Sequence, residues 1–396
     1  MKRVLYQSFT LLFPLLFAAS GNAQSNLDKV LADITANNKT LQAEKQYWEA
    51  QKLQYRTGLS LPDPTIEFDY LFDTPADAGN QTDVTVSQSF DFPSVYGKKK
   101  SVSREQMARA DIQLTAKRQE LLLEAKKICI EIVYLQKRQS QIAQRKQQVE
   151  KLVSDYLVRL DKGNGNVMDV NKARLQLIEM NRTLQENVSD MALLQEKLTE
   201  LNGSVPIAFT DSTYDLLPEL LPFEQLEEEY EKNDPLRLIL EQEMSIIDKQ
   251  VELAKARWLP KMELGYHYQG LSGQNFHGLH SGISIPVWEN KNTVKQKESE
   301  RLYAELAAVE HQNEHYYEIK QWYGKYLSLK VALAQYEAAF STLTNTALLN
   351  KALALGHITT IEYFMEMSYY NQAYDNYLET EKELYLVVAD LYKYQL

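Results

Sequence analysis

The residues with the most reactive-looking spacing are the histidines of "HQNEH" (311–315). The run fits H-x-x-E-H, an inverted zinc-protease pattern. On a helix His311 and His315 lie one turn apart, so two imidazoles can share a cation while Glu314 serves as a base. A five-residue pattern needs a structural setting before it carries chemistry. Here it lies in a long, charged, helix-forming run, with no α/β elements nearby to build a cleft. The expectation is therefore an incidental surface pair, with neither metal nor catalysis. His277 and His280 fall in or near a loop between strands, open to an external metal but with no further ligands in view. No G-x-S-x-G, Walker loop or dinucleotide fingerprint occurs, so no enzyme activity and no cofactor is expected. Cys129 is the only cysteine. It cannot form a disulfide within the chain, and its apolar helical surroundings (128–132) make it a packing residue.

The elements that carry these residues follow from composition and periodicity. Acidic residues outnumber basic ones by 54 to 43, which argues against nucleic acid as a partner. Lys2 and Arg3, the apolar "FTLLFPLLFAA" (9–19) and the small-residue "GNA" (21–23) form the three-part pattern of a secretory signal peptide over 1–23. The apolar part is too short to span a bilayer. No other long apolar run occurs. That leaves a water-soluble protein, or one that crosses a membrane by strands, whose hydrophobicity alternation dilutes.

Two pairs of segments alternate with period two, the mark of strands with one apolar face. "TIEFDYLF" (65–72) sets Ile66, Phe68, Tyr70 and Phe72 against Glu67 and Asp69. "DVTVSQSF" (83–90) sets Val84, Val86 and Phe90 against Thr85, Ser87 and Ser89. "KMELGYHYQ" (261–269) sets Met262, Leu264, Tyr266 and Tyr268 against Glu263 and His267, and "GLHSGISIP" (278–286) follows. Such a sheet either covers a soluble core or forms part of a membrane barrel, apolar outside and polar inside. In the barrel case Glu67, Asp69, Glu263 and His267 face the lumen.

Very long helices come next. No proline occurs between Ser94 and Lys162, and Leu114, Leu121, Ile128, Leu135, Ile142, Val149 and Tyr156 recur every seventh residue. This is a sustained coiled-coil seam. Ile319, Tyr326, Leu333, Phe340, Ala347 and Ala354 form a second seam, thinner at its end. The two halves also match each other. Pro93 and Pro286 stand 193 residues apart, as do Gly163 and Gly356, and Asp169 and Glu362. One offset held over so long a stretch marks a duplication. The predicted layout is a first repeat over 24–203, with strands at about 65–72 and 83–92 and a helical hairpin over 94–202. A proline-containing connector (204–223) leads to a second repeat over 224–396, with strands at about 261–269 and 278–286 and a hairpin over 287–394. Each hairpin turns at a glycine. Thr359 or Thr360 is placed to cap the returning helix, and Glu362 favours its first turn.

The chain resembles the TolC family of outer membrane efflux proteins. The resemblance rests on the strand-strand-Pro-helix units at Pro93 and Pro286 and on the helix breaks "KGNGNVMDV" (162–170) and "LGHITTIEY" (355–363). In the second break Gly356, Thr359 and Glu362 fit the family's Gly-x-x-[ST]-x-x-[DE] turn. The first is looser, with Met168 before Asp169 and an extra Gly165. "SQSFDFPSVYGKKK" (87–100) is also similar to the post-strand segment of the heavy-metal efflux branch. The resemblance implies a mainly α protein with membrane β structure: a homotrimer whose twelve-strand outer-membrane barrel stands on a periplasmic α-helical barrel. It implies a passive exit duct for small molecules or metal ions, joined by a periplasmic adaptor protein to an inner-membrane efflux pump. Gly163, Gly165, Gly356 and Thr359 would mark the adaptor-docking tips, with Asp155 and Asp161 as pore-entrance acids. The rival readings are a periplasmic adaptor, which needs one hairpin and a compact β domain, and a coiled-coil scaffold, which leaves the strands unexplained.

Overall fold

The computed structural model describes residues 26–73, 79–342 and 345–396, so the predicted signal peptide lies outside the described residues. Two short helices come first among the described residues, α1 (Asn26–Asn37) and α2 (Lys39–Tyr55). Strands β1 (Thr65–Leu71) and β2 (Gln81–Phe90) follow, then α3 (Pro93–Asp161) and α4 (Val167–Leu201). The second half repeats this order. It runs through α5 (Phe223–Asn233), α6 (Pro235–Ala256), β3 (Lys261–Leu271), β4 (Gln274–Ser284), α7 (Thr293–Thr342), α8 (Asn345–Ala354) and α9 (Thr360–Leu391).

The run ahead of each strand pair is broken into two helices, α1 and α2 in the first half and α5 and α6 in the second. The breaks have local causes. Asn38 and Asp234 take non-helical backbone angles and cap the helix that follows, and Pro235 at the first position of α6 has no N–H to place in a continuing helix. The second long helix starts at Thr293 rather than directly after Pro286, because turns occupy 288–292 and Asn292 has a positive φ of 66°.

The four strands form one antiparallel sheet in the order β1-β2-β3-β4. Its outer strands, β1 and β4, each pair on one side only among the described residues. Helix α3 has 69 residues, a length of about 100 Å at 1.5 Å per residue. It packs against α2 and α4 of its own half and α6 and α9 of the other. Leu121, Ile128, Leu135, Ile142 and Tyr156 of its seam are buried. Charge pairs join the halves: Arg145 grips Asp375 with both guanidinium nitrogens at 2.7 and 2.9 Å, and Lys137 lies 2.7 Å from Glu381. No helix among the described residues is long and apolar enough to cross a membrane.

Candidate functional site

Three regions bring the candidate residues into definite surroundings: the sheet faces, the hairpin tips and the bend between α5 and α6.

In the sheet, register decides which side chains share a face, because side chains alternate and directly paired residues point the same way. Ile66 pairs with Val86 and Val86 with Tyr266, which in turn pairs with Leu279. Phe68, Val84 and Tyr268 form the next such row. The opposite face carries Glu67 beside Thr85 and Thr85 beside His267, and Asp69 beside Asp83. Glu263 lies on this polar face too, across from Ser89. Glu67, Asp69, Glu263 and His267 therefore share one side. Thr85 Oγ1 and His267 Nδ1 are 2.7 Å apart, and His280 lies 3.9 Å from Glu263. The apolar side is open: Ile66, Phe68, Leu264, Leu279 and Ile283 are all more than half exposed.

At the tips, α3 and α8 end in the same hydrogen-bond pattern. Gly163 N–H donates to Leu160 C=O and Asn164 N–H to Arg159 C=O; Gly356 donates to Leu353 and His357 to Ala352. These paired bonds define a Schellman turn, which needs a left-handed residue. Gly163 and Gly356 supply it with φ of 73° and 71°. Gly165 has a different role. A Cβ there would lie 2.4 Å from the Leu160 nitrogen, so the chain passes too close for any side chain.

The returning helices start differently. Thr359 Oγ1 accepts from Glu362 N–H while the Glu362 carboxylate accepts from Thr359 N–H, a complete capping box. In the first tip Asn166 caps alone, accepting from Met168 N–H, and Asp169 does not close a box. Thr360 is free of capping. Its hydroxyl is buried 2.8 Å from the Tyr156 hydroxyl of α3 and ties the two tips together. Asp155 and Asp161 are exposed in the last turns of α3.

The bend between α5 and α6 changes the reading of the histidine pair. It is not on the surface: His315 is buried and His311 half-buried. His315 lies one turn before Ile319, on the side of α7 that faces the core. Both rings meet Asp234, the cap of α6. Asp234 Oδ1 accepts from Leu236 N–H and Oδ2 from Arg237 N–H. Oδ2 is also 2.8 Å from His311 Nε2 and 3.7 Å from His315 Nε2. The Tyr230 ring packs edge-on against His315 at 4.5 Å. Burial holds the His315 pKa below that of an ordinary histidine, against the opposing pull of Asp234. Its Nε2 is buried without a hydrogen-bond partner, a defect of roughly 1–3 kcal/mol if nothing offsets it. Glu314, the base of the protease pattern, is exposed. Sequence spacing exposed the two histidines but not Asp234, 77 residues away. Its one local signal is Asp before Pro at a helix start, which announces a cap and nothing more.

No protein-family model matches the sequence, and no curated protein matches it. Solved structures do. CusC, studied for folding and transmembrane channel formation, matches with a TM-score of 0.77 and 14% identity, over 99% of this chain and 98% of that one. A membrane protein from Pseudomonas aeruginosa gives 0.79 and 14% over 93% of each chain. The outer membrane protein VceC of Vibrio cholerae gives 0.75 and 13% over 93% of this chain and 95% of that one. The chain therefore has the fold of the TolC-family outer membrane channels.

Proposed function

We propose that the protein is the outer membrane channel of a tripartite efflux system, working as a homotrimer. The observation that carries this reading is the sheet. Four strands with an open apolar face and two free edges are not a finished structure in water. Strand β4 of one copy beside β1 of the next, three times round, gives twelve strands with no edge, and the apolar face then meets outer membrane lipid. The polar face, with Glu67, Asp69, Glu263 and His267, lines the lumen. Exposed apolar side chains on α4 (Leu175, Ile178, Leu193) and α7 (Leu302, Leu306, Val309) are the surfaces that neighbouring chains cover in the periplasmic helical barrel.

In this arrangement the tips at Gly163 and Gly356 point into the periplasm, where an adaptor protein docks and links the duct to an inner-membrane pump. Asp155 and Asp161 supply negative charge near the entrance. The duct performs no chemistry; it passes small molecules or metal ions that the pump selects. The test is fractionation of the full protein. It is expected in the outer membrane and as a trimer in mild detergent, and recovery as a soluble monomer overturns the reading. A Gly356→Pro chain is expected to assemble its barrel and lose export, measured as restored sensitivity in a deletion strain.

A further inference from the structure

We infer that Asp234, His311 and His315 form a binding site for one divalent transition-metal ion of the zinc class, joining the α5–α6 bend to α7. The three donor atoms lie within 4.8 Å of one another. Two imidazoles and a carboxylate suit zinc and its borderline neighbours rather than magnesium or calcium, which favour all-oxygen sites. Zinc sits about 2.0–2.2 Å from such ligands, which puts neighbouring donor atoms roughly 3.3 Å apart at tetrahedral angles. The separations from Asp234 Oδ2, 2.8 and 3.7 Å, fall on either side of that value.

A plain hydrogen-bonded core is the competing explanation, and the leftover atom decides between them. The bond between His311 and Asp234 uses two of the three groups and leaves His315 Nε2 buried with no partner. An ion uses all three. The ligands are also held in place by other bonds. Asp234 is fixed by the N–H groups of Leu236 and Arg237, and Tyr230 packs against the His315 ring. Such supporting contacts orient metal ligands. A groove of about 760 Å³, lined by Asp234, His311, His315, Glu314, Glu318 and Lys393, gives an ion a way in and leaves a coordination position for water.

The experiment uses the purified full-length protein in detergent, stripped with a chelator and equilibrated with zinc, with bound zinc counted per chain. One zinc per chain is expected. A His277→Ala/His280→Ala protein, altered in the sheet histidines, is expected to keep it. Asp234→Asn retains an oxygen to cap α6 but loses the ligand charge, and is expected to bind zinc at least about tenfold more weakly. His311→Ala/His315→Ala is expected to lose it. Zinc is also expected to raise the unfolding temperature of the parent protein and not that of Asp234→Asn, and excess magnesium is expected not to displace it. Equal zinc binding by the parent and the His311→Ala/His315→Ala protein overturns the site, as does loss of zinc only in the His277→Ala/His280→Ala protein. These readouts report ion binding alone, so they succeed or fail separately from the channel reading.

Discussion

The two bends that open each half of the chain begin from the same local solution and end in different chemistry. Asn38 and Asp234 both cap a following helix with a side-chain oxygen. Asn38 has an amide left over. Its Oδ1 accepts from Leu41 N–H at 2.8 Å, and its Nδ2 donates 2.7 Å to the Leu201 carbonyl at the end of α4. The residues it bonds, Ile34, Leu41 and Leu201, belong to one apolar cluster. Asp234 has no proton to give and only lone pairs left over, so it needs a donor or a cation, and α7 brings two imidazoles to it. Both bends keep the cap. The difference between an amide and a carboxylate sets what else each bend can hold.

The tips differ in the same manner, and there the largest effect is expected. Gly165 and Ile358 occupy equivalent places at the common offset of 193. Only the first is pressed against the backbone at Arg159 and Leu160. Gly165→Ile, which makes the first tip read like the second, is expected to destabilise it by about 3 kcal/mol through overpacking. Hydrogen exchange at Asn164 and Met168 measures this. Unchanged protection would mean that the two turns are interchangeable.

At the bends the contrast sharpens with single truncations. Asn38→Ala removes a cap and strands the buried Leu201 carbonyl, so a loss of about 2 kcal/mol is expected. Asp234→Ala is expected to cost a similar amount, roughly 2 kcal/mol, by the same two causes. The two variants separate on adding zinc. Thermal unfolding of Asn38→Ala is expected to respond to the ion as the parent does, and that of Asp234→Ala not to respond. A matching zinc response in both would erase the distinction.

His315→Leu converts the second bend toward the first. It removes the buried, unpartnered Nε2 and puts an apolar side chain beside Ile319 and Tyr230. In metal-free protein the change is expected to be neutral or to stabilise by up to about 1 kcal/mol. In zinc it is expected to be destabilising relative to the parent. Denaturant unfolding with and without chelator shows whether the sign reverses.

Much of the fold was legible because its periods are long and local. The α3 seam repeats through Leu121, Ile128, Leu135 and Ile142, and the alternation in 65–72 puts Ile66 and Phe68 on one face and Glu67 and Asp69 on the other, as the pairing requires. The equal turns at Gly163 and Gly356 were visible because one backbone angle demanded one residue type. What stayed hidden was every contact between distant polar groups. Thr359 and Thr360 are adjacent and both competent to cap; only the packing of α3 against α9 assigns Thr360 to Tyr156. The motif at 311–315 directed attention to Glu314, within the pattern, whereas the carboxylate that meets the rings is Asp234. Capping chemistry predicts what a residue does for its own helix, and says nothing of what another helix places beside it.

The smallest expected effect concerns pH and again sets the tips apart. Glu362 has its pKa held below the usual glutamate value, first by the Thr359 backbone N–H and then by the Thr359 side chain. A carboxyl whose pKa is lower folded than unfolded adds stability that is fully present above its unfolded value of about 4.5, and that stability fades as pH falls through the folded value. Asn166 does not titrate, so the cap of the first tip has no such dependence. Lowering the pH from neutral to well below 4.5 is therefore expected to speed amide exchange at Glu362 and Tyr363, after correction for intrinsic rates, relative to Met168 and Asp169. The difference should vanish in Glu362→Gln, whose amide oxygen can still accept from Thr359 N–H and which does not titrate. Equal pH sensitivity at both tips would show that the capping box is not what separates them.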